Sequence, residues 1–205
     1  MPNFVSKLNT IAKNTDSYLK NLFLKHNRHS YLIESMKYGV FSGGKRFRSA
    51  VVVSTGKILG INHKKLIIIG GAIECIHSYS LMHDDLPSMD NDDLRRGKLS
   101  AHKKFNEFTA ILAGNSLLTL SFEILTGSEL KLPQKTKVEL IKALARCSGY
   151  SGLADGQYSD LTFENKKISK NNIINMLKKK RDIYLVFVVK VLLSLKSKMP
   201  KKEIN

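Results

Sequence analysis

Leu81-Met82-His83-Asp84-Asp85-Leu86-Pro87-Ser88-Met89-Asp90-Asn91-Asp92-Asp93-Leu94-Arg95-Arg96-Gly97 joins the end of an apolar run to a dense group of acids and then to two arginines. Five of the chain's 17 acidic residues fall within positions 84–93, in a protein of formal net charge +17. Close carboxylates repel one another and raise each other's pKa unless something positive sits between them. Oxygen-only donors favour a hard cation such as Mg²⁺, which keeps waters and bridges to substrate phosphates. Arg95 and Arg96 follow at once, and guanidinium forks match phosphate oxygens. Acids beside arginines point to a site for a Mg²⁺-diphosphate ester. The ordinary alternative is an acidic turn of Asp, Asn and Pro with a basic flank.

The residues before the cluster weigh against that alternative. Positions 70–86 are largely apolar, with Ile73, Ile76, His77, Ser80 and Leu81 at helical spacing. They predict a buried helix that delivers Asp84 and Asp85 at its C-terminal end, where the helix dipole disfavours anions. A bound cation would resolve that conflict. Asp84 and Asp90 are six apart, about 240° around an ideal helix. They can share a metal only if the helix ends between them, and Pro87 supplies a reason. His77 precedes Asp84 by seven residues, about two turns, so both face one side.

Farther out the pattern stays helical. Phe4 to Lys25 carries Phe4, Leu8, Ile11, Leu19, Leu22 and Phe23 at near-helical spacing. Further helices are expected over 31–40, 47–59, 64–86, 105–125 and 132–148, with Ser169 capping a last one. Val51-Val52-Val53 is strand-like on its own, but its flanks keep the helical period. Ala110, Ala113 and Gly114 allow close helix contact. Ser42-Gly43-Gly44 reads as a loop, and Gln157 and Asp160 lie three apart on a helix. The fold class is all-α, a helical bundle.

At 205 residues and 42% hydrophobic, the chain can bury one sizeable core. The best apolar run, 185–195, is about half the roughly 20 residues of a membrane span and carries Lys190, so no stable membrane insertion is expected. No signal peptide is apparent at the N-terminus. Cys75 and Cys147 offer no disulfide framework. The expectation is a cytoplasmic protein. Lysines are spread along the whole chain, without zinc spacing or RNA-binding aromatics, which argues against nucleic acid as the partner.

Four segments in order resemble motifs of the trans-isoprenyl diphosphate synthases, the polyprenyl synthetase family. Gly43-Gly44-Lys45-Arg46-Phe47-Arg48 is similar to the family's Gly-Gly-Lys-Arg-x-Arg. Glu74-Cys75-Ile76-His77-Ser78-Tyr79-Ser80 resembles the stretch before its aspartates. Positions 84–97 are similar to the first aspartate-rich motif of the bacterial farnesyl diphosphate synthase branch, Asp-Asp-x-x-x-x-Asp followed by Arg-Arg-Gly. Gly156-Gln157-Tyr158-Ser159-Asp160 resembles its Gly-Gln-x-x-Asp.

The resemblance implies an orthogonal helical bundle and head-to-tail prenyl transfer from an allylic diphosphate, dimethylallyl or geranyl, to isopentenyl diphosphate. It implies Mg²⁺ on Asp84, Asp85 and Asp90, with Asp84 and Asp90 foremost. Arg95 corresponds to a ligand of the allylic diphosphate and shares the catalytic set with the three aspartates. Lys45, Arg48, His77 and Arg96 correspond to ligands of isopentenyl diphosphate, and Gln157 to a cavity-lining one. Tyr79, five residues before Asp84, and Ser80 stand where large side chains limit chain growth, which points to a C15 product. A homodimer is expected if the fold is complete.

The chain departs from the family after Asp160. Its only later acids are Glu164, Asp182 and Glu203, so the second aspartate-rich motif is missing. Lys180 is followed by Arg181-Asp182 where the family has Lys-Thr. The expected organisation is therefore 1–180 as the N-terminal part of a prenyl synthase domain and 181–205 as a divergent tail. With suitable A/T-rich codons, residues 181–191 read one nucleotide earlier encode Thr-Gly-Tyr-Leu-Phe-Ser-Phe-Cys-Cys-Lys-Ser. Preceded by lysine, that resembles the family's helix and is compatible with a shifted reading frame. Two rivals are a non-catalytic prenyl-diphosphate-binding or subunit-like homologue and a basic nucleic-acid-binding helical protein. Terpene cyclases share the fold but are expected to lack the Lys45, Arg48 and His77 set.

Overall fold

The computed structural model describes residues 3–25, 30–182 and 192. Nine α-helices and one two-stranded hairpin lie among them, which agrees with the all-α expectation. The chain divides into two compact units, residues 1–54 with 63–130, and residues 55–62 with 131–205.

In the first unit, α1 (Phe4–Lys25) buries Ile11, Thr15, Leu19 and Phe23, one face at four-residue spacing. Asn3 starts it, its side-chain oxygen accepting from the Ser6 amide at 2.8 Å. Then come α2 (Tyr31–Phe41) and α3 (Phe47–Ile58), of which residues 47–54 belong to this unit. Val52 and Val53 are fully buried in α3, so tertiary packing outweighs the strand preference of three valines. The unit is organised around α4 (His63–Asp84), which is buried on nearly every side from Leu66 to Ile76. A helix with no polar face belongs in a core. Leu66, Ile68, Ile73 and Ile76 are each at most 2% exposed, and each contributes roughly 1.5–3 kcal/mol by burial.

Expectation put the end of α4 at residue 86, but it ends at Asp84. The last turn tightens, with the Leu86 amide bonding the His83 carbonyl at 3.1 Å, and Pro87 has no amide to continue. The short β1 (Leu94–Arg95) and β2 (Lys98–Leu99) pair antiparallel through a two-residue turn, Arg96–Gly97. Both turn residues have positive φ, 56° and 76°, as a type I′ hairpin turn requires. This hairpin was not expected. After α5 (Ala101–Lys104), α6 (Glu107–Thr126) starts two residues later than predicted because Asn106 caps it, accepting from the Thr109 amide at 2.9 Å. Helices α4 and α6 pack on each other as the small residues implied. A Cβ on Gly114 would stand 2.3 Å from His83 Nε2. By length and apolarity alone α4 and α6 both reach the size of a membrane span, yet 72% and 50% of their apolar windows are buried in protein.

The second unit holds α7 (Gln134–Ser148), α8 (Leu153–Phe163), α9 (Lys170–Leu177) and a π-turn, Lys178–Asp182. Ser169 caps α9 as expected, accepting from the Asn172 amide at 3.3 Å. Most of the tail, 183–205 apart from Leu192, lies outside the described residues. The expected divergent tail and the apolar run at 185–195 fall there.

Candidate active site

Glycines shape the loop between α2 and α3. Gly43 and Gly44 have φ of 104° and 130°, and Arg46 has 47°. Three left-handed residues in four reverse the chain and set Lys45, Arg46 and Arg48 in different directions. Lys45 is exposed and Arg48 half-buried. Arg46 is only 6% exposed. Its Nε donates to Asp16 Oδ1 at 2.7 Å and its Nη2 to the Val40 carbonyl at 2.7 Å. Its Nη1 stands 3.8 Å from Glu74 Oε2, and Glu74 Oε1 accepts the Ser49 amide at 3.0 Å in the first turn of α3. Burial raises the Glu74 carboxyl above its ordinary range, opposed by the Ser49 amide and the nearby arginines.

The hairpin carries Arg95 and Arg96 to the same part of the unit. Arg96 donates to the Gly43 carbonyl, and a Cβ on Gly44 would stand 2.6 Å from Arg96 Nη1. The second glycine of the loop is thus needed for the arginine to approach. Tyr38 donates to the Leu99 carbonyl at 2.6 Å and Lys103 pairs with Asp93 at 2.8 Å, holding the hairpin.

Four arginines bear electrostatically on His77: Arg48, Arg96, Arg46 and Arg95. Burial first, and then those four cations, push its pKa down to about 3. The imidazole is neutral at physiological pH, and a neutral ring still donates one N–H. Tyr79 lies edge-on to His83, ring centroids 4.9 Å apart at 75°. His83 Nε2 is 3.1 Å from the Ile111 carbonyl of α6. Ser80 turns its hydroxyl back to the His77 carbonyl at 3.0 Å.

The acidic segment folds back on the end of α4. The Asp90 amide donates to the Asp84 carbonyl at 2.9 Å, so the main chain itself brings these two residues together. Asp84 is half-buried and Asp90 exposed. Asp85 turns the other way. It is 2% exposed, and it takes the Arg95 Nε at 2.8 Å and the Nη2 as well. Burial still raises the Asp85 carboxyl, against the pull of Arg95. Arg95 also reaches Asp92 at 3.4 Å. Among the described residues no three His, Cys, Asp or Glu side chains are arranged to hold a metal. The main-chain bond between Asp90 and Asp84 sets two acidic residues close together at the end of α4.

Of the predicted residues of the first unit, Arg48, Arg95 and Arg96 lie within electrostatic reach of His77, and Arg95 within reach of Asp84 and Asp85. A groove of about 860 Å³ lined by Phe23, Met36, Leu112, Leu120 and Glu123, among others, includes none of them. Gln157 lies on α8 in the second unit, buried, with both amide atoms unpartnered among the described residues. Asp160 is paired with Lys180 there. The sequence reading missed the Arg46–Asp16–Glu74 group. Its only signal was the left-handed position after two glycines, which motif matching does not show.

The chain is 47% identical over 152 residues to the farnesyl diphosphate synthase of Buchnera aphidicola subsp. Acyrthosiphon pisum, covering 73% of this chain and 54% of that one. It is 39% identical over 192 residues to the Haemophilus influenzae farnesyl diphosphate synthase, covering 93% and 65%. It therefore spans between half and two thirds of these relatives' length. A geranyltransferase structure from Legionella pneumophila superposes with a TM-score of 0.89 at 32% identity, covering 96% of this chain and 70% of the other. The profile of the polyprenyl synthetase family matches residues 29–204, and the chain belongs to that family.

Proposed function

We propose that this chain carries diphosphate-binding and ionisation machinery of a farnesyl diphosphate synthase. The observation that carries the reading is the convergence of Arg46, Arg48, Arg95 and Arg96 on His77. Acids already meet two of the four, Arg46 and Arg95, and a bound polyanion would supply further negative charge to the group. The relatives' names supply the reaction class. In it the allylic C–O bond breaks, diphosphate leaves with the electron pair, the carbocation bonds to the double bond of isopentenyl diphosphate, and a proton is lost.

The roles proposed here are those the resemblance implies. Lys45, Arg48 and Arg96 surround isopentenyl diphosphate with positive charge, and neutral His77 donates a hydrogen bond to it. Arg95 serves the allylic diphosphate and holds Asp85. Asp84, Asp85 and Asp90 would hold Mg²⁺, Asp84 and Asp90 foremost, while Arg95 holds Asp85 and so fixes the segment between them. That ion would neutralise charge developing on the leaving diphosphate. Gln157 keeps only the substrate-binding role that the resemblance implies. Tyr79, braced against His83, and Ser80 limit the product to C15. Exposed Phe108 and Leu112 on α6, 66% and 50% accessible, support pairing with a second copy as a homodimer. The reading includes a cytoplasmic location and 181–205 as a frame-shifted tail. The nucleotides across codons 176–206 test the last point.

Calorimetry with isopentenyl diphosphate, and with pyrophosphate plus Mg²⁺, tests the site. Wild type should bind both, Lys45→Ala should lose the first, and Asp84→Ala should lose the Mg²⁺-dependent part of the second. Absence of both signals from wild type would overturn the reading. Product analysis of the chain alone, and mixed with a full-length synthase, separates an enzyme from a subunit-like protein.

A further inference from the structure

The geometry points to Asp16, on α1 and outside every motif, as a positioning residue for the cationic loop, acting through Arg46. This rests on the diphosphate-binding reading above. The loop has little shape of its own, since Gly43 and Gly44 can adopt many conformations and Arg46 is left-handed at φ 47°. A non-glycine residue holds that conformation only when its surroundings impose it. Here the Arg46 carbonyl accepts the Ala50 amide at 2.9 Å, and three side-chain contacts meet on one guanidinium, which is planar and fixes direction as well as distance. Its three anchors come from three helices: Asp16 on α1 at 2.7 Å, the Val40 carbonyl on α2 at 2.7 Å, and Glu74 on α4 at 3.8 Å. Asp16 makes the closer of the two carboxylate contacts. With Arg46 turned inward, Lys45 is left on the exposed side and Arg48 is half-buried near His77.

The sign of the effect separates positioning from simple electrostatics. Asp16 is an acid near a site for an anion. If it acted by charge alone, removing that charge would tighten diphosphate binding. If it positions Arg46, removing the charge loosens the loop and weakens binding.

The test is calorimetry of the full chain with isopentenyl diphosphate, without Mg²⁺, on wild type, Asp16→Asn, Arg46→Lys, Lys45→Ala and the Asp16→Asn/Lys45→Ala pair. Asp16→Asn is expected to weaken binding by about threefold to tenfold, and to add little once Lys45 is gone, because residues acting as one unit are not additive. Arg46→Lys keeps the charge and loses the fork, and should weaken binding similarly. Binding by Asp16→Asn as tight as wild type or tighter overturns the proposal. So does full additivity with Lys45→Ala, or wild-type affinity in Arg46→Lys. If wild type gives no binding, the diphosphate reading fails by itself. Hydrogen exchange then decides the positioning: amides 45–49 should exchange faster in Asp16→Asn while those of α6 do not, and unchanged exchange at 45–49 overturns it.

Discussion

The cationic loop at 43–48 and the acidic segment at 84–93 solve the same problem with opposite signs. Each must hold several like charges close together. Each turns one charged residue inward onto a counter-charge and leaves the others half-buried or exposed. In the cationic loop the inward residue is Arg46, met by Asp16 and Glu74; in the acidic segment it is Asp85, met by Arg95. The two differ in what holds the counter-charge. Arg46 is gripped from three helices, whereas Asp85 is gripped by one half-exposed arginine on a two-stranded hairpin. The cationic loop is therefore built as a fixed platform, and the acidic segment as one that local opening of the hairpin can release.

Breaking the stronger anchor gives the largest expected effect. Arg46→Met takes from buried Glu74 the first of the arginines that act on it, and the chain should lose about 3–5 kcal/mol of stability, read by denaturant unfolding. Asp85→Asn keeps the shape and loses only the charge, so about 1–3 kcal/mol is expected. If Asp85→Asn costs more than Arg46→Met, the contrast between the two anchors is reversed.

His77 sharpens the comparison from the cationic side. Its pKa lies near 3 in the folded chain and near its ordinary 6.5 in the unfolded one. Between those values the unfolded state binds more protons. The stability tied to neutral His77 is complete above 6.5 and is lost as pH falls toward 3, with about 1–2 kcal/mol gone by pH 5. His77→Gln should flatten that slope in unfolding curves recorded at several pH values. The smallest effect belongs to the exposed Lys25–Glu129 pair, whose side chains are 61% and 49% accessible. Lys25→Ala should change stability by no more than about 0.5 kcal/mol.

The parts of this arrangement that could be read beforehand are those set by chain period. The seven-residue step from His77 to Asp84, and the small residues of α6, follow from helix geometry and needed no fold. Arg46 and Arg48 are a different case. They are the same residue type two positions apart, and which one is buried depends on backbone turns at Gly43, Gly44 and Arg46 and on an acid thirty residues away. The hairpin was equally hidden, because two-residue strands have no period and arginine in a left-handed turn is no usual signature of one. Asp85 and Asp84 are adjacent and identical in chemistry, and only the packing against Arg95 separates their surroundings.

The bond from the Asp90 amide to the Asp84 carbonyl has a bearing on what mutation can do to this chain. It closes a ring of main-chain atoms, reinforced by the Leu86 carbonyl accepting from Met89 at 2.9 Å and Asn91 at 3.1 Å. None of these bonds uses a side chain. Ser88 is exposed and should tolerate almost any replacement other than proline. Removing or inserting a single residue between 86 and 89 would change the size of the ring. The segment should therefore be permissive to spelling and intolerant of length, and a library of substitutions and single-residue indels across 86–89, sorted for folded protein, should divide along that line.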